Sequence, residues 1–186
     1  MKHVLILALT LLSLVSIHSQ NTITAEDGFT PQVGVLVSML NDLSNRVERT
    51  VKDLDAEGVD FLLDENANSI GTLIMHLAAT EKIYQVYTFE KREFNDEEAE
   101  AWGTAMSMGK DAQKKFTGKD VKEYLESFKK VRAKTLEYLK TKDDAWLGEN
   151  TFDNSMNHYW AWFHVMEHQS SHLGQILLIK KRIPKA

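Results

Sequence analysis

The sequence contains no cysteine. That excludes disulfides, a lipid anchor attached through cysteine, a thiol nucleophile and thiolate metal ligands, so a metal held by this chain is held by nitrogen and oxygen. Proline is nearly as scarce. Only Pro31 and Pro184 occur, both near the ends of the folded part, and a long interior without proline suits long helices. Positive charge is not in excess. The formal net charge is −5, and phosphate backbones are bound by basic patches, so nucleic acid is not an expected partner. The longest apolar run, Val4 to Ile17, is interrupted by Thr10, Ser13 and Ser16 and falls short of the roughly 20 residues of a membrane span.

Placed after Lys2 and before the polar stretch Ser19-Gln20-Asn21-Thr22, that run reads instead as a secretory signal peptide over residues 1–19. The expectation is an exported chain, periplasmic or secreted, with no stable membrane insertion after processing. Hydrophobic residues make up 43% and charged residues 26% of the chain, values that fit one globular domain over residues 20–186.

Four long segments repeat apolar residues at spacings of three and four, the period of a helix with one buried face. The first runs from Pro31 to about Leu54, with Pro31 placed at its first turn. The second begins near Ser69, a capping residue, and ends near Phe89. The third covers about Lys119 to Leu139. The fourth covers Asn157 to about Arg182 and carries Trp160, Phe163, Val165, Met166, Leu173, Ile176, Leu177 and Ile179 on the expected buried stripe. Between the second and third lies a long connection, residues 90 to 118, read as a surface excursion with one short helix around "DEEAEAWGTAM". No stretch alternates as a strand would. The expected fold is all-α, a four-helix bundle, with cofactor sites between facing helices.

The fourth segment contains "HVMEHQSSHLGQI", three histidines each four residues from the next. Residues four apart lie on one helix face, about 6 Å apart along the axis, so either His164 and His168 or His168 and His172 can converge on one ion. His164 and His172 are about 12 Å apart along the axis and do not share it. His76 lies in the second segment, among apolar neighbours. Three imidazoles from two helices would bind a divalent ion and leave a coordination position open. Three polar histidines with no metal account for the same spacing. His158, at the helix start, reads as solvated. The pair His168/His172 encloses Gln169 where a zinc protease carries glutamate, and Gln169 takes up no proton at neutral pH, so protease chemistry of that type is excluded.

Together, "NSIGTLIMHLAATE" and "MEHQSSHLGQI" resemble the DinB-like superfamily of metal-binding four-helix bundles, over essentially the whole chain after the leader. The resemblance implies that His76, His168 and His172 hold the metal and so favours the second pair over the first. It implies a divalent cofactor, for which nitrogen ligands suit zinc, nickel or iron. It also implies a metal-dependent enzyme of hydrolase or thiol-transferase type acting on a small molecule. The alternative is a non-catalytic metal-binding or interaction protein. The motif surroundings differ from the common "HExxHHRGQ" form in Ser171 and Leu173. No catalytic residue is designated by the sequence, and a homodimer through the Trp160/Trp162 region is the one protein partner it suggests.

Overall fold

A computed structural model describes residues 22–184. The expected signal segment, residues 1–19, lies outside the described residues. Among the described residues eight α-helices follow one another: α1 (Pro31–Val51), α2 (Ala56–Asp60), α3 (Ile70–Gln85), α4 (Asp96–Ser107), α5 (Gly109–Lys115), α6 (Val121–Leu139), α7 (Asp144–Gly148) and α8 (His158–Lys180). There is no strand among the described residues, and no helix there is long and apolar enough to cross a membrane.

Local chemistry explains where the helices begin. Ser69 accepts from the Thr72 amide, Asp120 from Lys122 and Asn157 from Trp160, each satisfying a donor that the first turn leaves free. Asn95 and Glu98 form a reciprocal capping box on α4. Helix α1 is capped from outside. Asp144 of α7 accepts from the amides of Gln32 and Val33 and from the Thr30 hydroxyl, and the Thr30 bond chiefly holds its carboxyl below the usual range. After Gln85 the chain continues through one π-helical turn, Val86–Glu90, and leaves the helix at Lys91, whose φ is 57°.

Helices α1, α3, α6 and α8 are the bundle. α3 packs on α6 and α8, and α1 packs on the same two, so α1 faces α3 across the centre. The core falls into two apolar clusters. One joins Val47 and Val51 of α1, Ile70 to Ala79 of α3, Tyr124 to Val131 of α6 and Leu173 to Ile179 of α8. The other joins Val33 to Leu40 of α1, Leu139, Trp146 and Leu147, and Ala161 to Val165 of α8. The beginnings of α3 and α6 therefore share one end of the bundle with the ends of α1 and α8. The order is up-down-down-up, and only the α3–α6 connection must travel the length of the bundle, roughly 30 Å for the 21 residues from Ile70 to Glu90.

That requirement corrects the reading of residues 90–118 as a surface excursion. The segment is two helices, α4 and α5, and α4 packs along α3. Ala105, Ala112 and Phe116 are buried in the first cluster. At the same end α3 and α6 approach closely. A Cβ on Gly71 would lie 3.0 Å from the Tyr124 ring and 3.2 Å from Val59.

The stripe on α8 also differs from the one expected. Trp160 and Phe163 are 48% and 53% exposed, and Leu177 is exposed too, whereas Trp162 is fully buried. Trp162 is thus core, and only Trp160 of that pair is on the surface. His158 is not solvated: it is 1% exposed, stacked on Trp146 at 4.1 Å between ring centroids.

Between the two apolar clusters lies one polar layer. Glu81 of α3 is fully buried and accepts two bonds from Arg132 of α6, each 2.7 Å. Thr135 donates to the same carboxylate, and Gln85 donates to Thr135 and to the Val131 carbonyl. Arg132 also reaches the Leu40 carbonyl of α1. Gln169 of α8 donates to Glu81 at 3.1 Å and accepts from Arg132 at 3.3 Å. All four long helices meet in this layer, and its charged atoms are paired as burial demands.

Candidate metal centre

His76 projects from α3, and His168 and His172 project one turn apart from α8. Their ring centroids stand 4.9, 4.9 and 4.5 Å from one another, and one nitrogen of each lies within 4.8 Å of the others. This is the one such cluster of potential ligands among the described residues. The structure therefore brings together the pair His168/His172 with His76. His164 stands apart: it stacks on Trp160, and its Nδ1 donates to Glu167 at 2.8 Å.

Hydrogen bonds set the tautomers. His76 Nδ1 donates to the Ala105 carbonyl at 2.9 Å, leaving Nε2 with a free lone pair. His172 Nδ1 donates to Gln175 Oε1 at 2.9 Å, with the same consequence. A metal-binding imidazole is commonly oriented by a bond of this kind from its other nitrogen. His168 Nε2 points at His76 Nε2, 2.9 Å away. Two nitrogens each about 2.1 Å from one ion stand roughly 3.3 Å apart, so a small rotation of either ring converts this contact into a shared ligand position. The residues present fit a divalent ion.

Electrostatics point the same way. Burial lowers the His76 pKa, with the Ala105 bond opposing and His172 adding to the effect. His168 is pushed down to about 4, first by burial and then by His172, His76 and His164. Both rings stay neutral at pH values where a free imidazole has begun to protonate, and the neutral ring is the one that binds metal.

A cleft of about 410 Å3 opens beside the cluster. His76, His164 and His168 border it, Tyr84 and Tyr87 form an aromatic wall, and Met106 and Met156 also line it. Thr80, one turn beyond His76, also faces it, and its buried hydroxyl has no partner. Thr50, Thr88 and Thr135 each donate to the carbonyl four residues earlier, the usual outlet for a helical threonine.

Two features were not legible from spacing. The Ala105 carbonyl comes from the connection and is a backbone atom, so no residue type marks it. The polar layer of Glu81, Arg132 and Gln169 is scattered over three helices and is recognisable only once their packing is known. Gln175, three residues beyond His172 on the same helix, orients it.

Residues 35–184 match the protein family described as MST, mycothiol-S-transferase. No curated protein matches the chain.

Proposed function

The chain belongs to the mycothiol-S-transferase family, a member of the DinB-like superfamily, and from that premise we propose that it is a metal-dependent enzyme of the thiol-transferase type. His76, His168 and His172 are its metal ligands in this reading. The observation that carries it is the convergence of three imidazoles, two of them with Nδ1 already engaged, beside an apolar cleft that His76 and His168 border. A divalent ion held there would lower the pKa of a thiol bound to it, making the thiolate nucleophile available near neutral pH. The chain's own residues supply the rest. Tyr84, Tyr87, Met106 and Met156 receive the apolar part of a small substrate and exclude water, and the Thr80 hydroxyl is the polar group left to bond it. Zinc, nickel and iron all suit three nitrogen ligands.

The family match supports thiol transfer over the hydrolase alternative. The leader-like residues 1–19 support a further proposal, that the chain is exported; N-terminal sequencing of the protein from its native host tests it, and an intact Met1 overturns it. For the enzyme, protein purified without a histidine tag is to be analysed for metal, then assayed for conjugation of small thiols to electrophiles before and after chelation. Stoichiometric metal with chelator-sensitive conjugation is expected. Protein without metal that gains none on zinc addition sinks the reading. Metal with no thiol transfer returns the site to the non-catalytic binder.

A further inference from the structure

The three imidazoles are not held alike. His76 is oriented by the Ala105 carbonyl and His172 by Gln175. His168 has no hydrogen bond to an oxygen among the described residues; its one ring contact of that kind is to His76 itself. Its place is therefore set by the backbone that carries it, which is to say by how α8 is rotated and translated against α3.

The residue beside it is where α8 is fastened. Gln169 is 1% exposed and faces the bundle centre. Its amide nitrogen donates to Glu81, on the same helix as His76 and five residues further on, and its amide oxygen accepts from Arg132. Glu81 is in turn fixed by Arg132 and Thr135 from α6. A nitrogen about 6 Å from a helix axis moves roughly 1 Å for each 10° of rotation, which is the difference between a ligand and a bystander.

We infer that Gln169 is a positioning residue for the metal site, fixing the rotation of α8 through Glu81 and Arg132 so that His168 meets His76. This rests on the reading of the three histidines as ligands. Losing an orienting partner outside the ligand set typically weakens metal binding by about 10- to 100-fold.

The test compares Gln169→Met, which keeps length and apolar contact but removes both bonds, with Gln85→Met. Gln85 belongs to the same layer, bonding Val131 and Thr135, and makes no bond to α8. Each full-length protein is stripped of metal, melted, and titrated with zinc and then cobalt(II), whose visible spectrum reports ligand geometry. Gln169→Met is expected to stay folded, to bind zinc about 10- to 100-fold more weakly and to shift the cobalt bands. Gln85→Met is expected to melt earlier while keeping its zinc affinity within about threefold, since it leaves α8 untouched. Gln169→Leu is read alongside and held to the criterion for Gln169→Met. Unchanged zinc affinity in both Gln169 variants overturns the inference, as does loss of affinity in Gln85→Met in proportion to its melting temperature. Loss of helical signal in both Gln169 variants shows a residue that holds the fold and also overturns it. A wild-type protein that binds neither zinc nor cobalt refutes the metal reading itself, and the inference falls with it.

Discussion

His76 and His158 are built alike and do different things. Both are buried, and both donate from Nδ1 to a backbone carbonyl, His76 to Ala105 at 2.9 Å and His158 to Trp146 at 2.7 Å. Both have pKa values lowered chiefly by burial. They part at Nε2. That of His76 faces two further imidazoles, whereas that of His158 is buried without a partner, in a ring stacked on Trp146. Burial and a fixed tautomer thus do not make a metal ligand. What the lone pair meets decides, and that is a property of helix packing.

The comparison breaks first at metal binding. His76→Ala is expected to weaken zinc affinity by more than about 100-fold, beyond the usual loss of an orienting partner, while His158→Ala stays within about threefold. Calorimetric titration of the two variants measures this, and equal losses would erase the distinction. The order reverses for stability. His158→Ala empties a stacked, buried position and should destabilise the metal-free protein by about 2–4 kcal/mol, read from urea unfolding.

A third expectation concerns pH. The folded-state pKa of His158 is lowered by burial; the Trp146 carbonyl and Glu149 favour its charged form, and Lys91 and Lys142 oppose it. Because the unfolded chain takes up the proton first, this contribution is complete above about pH 6.5 and is lost as pH falls from there through the folded pKa. His158→Phe keeps the stacked ring without the titration. Between pH 7.5 and 5.5 the metal-free wild type should lose more stability than this variant. Parallel losses would place the sensitivity elsewhere, His76 and His168 being the other histidines lowered by burial.

The smallest effect sharpens the boundary of the site. His164→Ala should change zinc affinity by less than about threefold, since the ring is engaged with Trp160 and Glu167 and belongs to no ligand cluster. A large loss would redraw the centre around His164 and His168.

Much of this was legible in sequence. Periodicity placed the four long helices, and Ser69 and Asn157 marked two of their starts, because caps and apolar spacing are local properties. The choice of His168/His172 over His164/His168 came from motif resemblance, since spacing alone treats the pairs equally. What escaped was non-local. His158 looked solvated because it stands at the start of its helix; the Trp146 ring that covers it arrives from a different helix. Trp160 and Phe163 looked buried because apolar type was read as orientation. The connection read as a surface excursion, and what it gives the histidines, the carbonyl of Ala105, has no side-chain signature.

The contact at Gly71 bears on all of this from a distance. α3 rests there against the ring of Tyr124, with the space of a methyl group withheld. Five residues on, about 7.5 Å along the axis, the same rod carries His76. Any bulk at the resting point would have to tilt the rod or displace the ring, and tilt at one place is sideways travel at the other. The helix is in that sense a lever whose fulcrum is a missing side chain, and the aim of the histidine is written partly in a residue that bears no functional group at all.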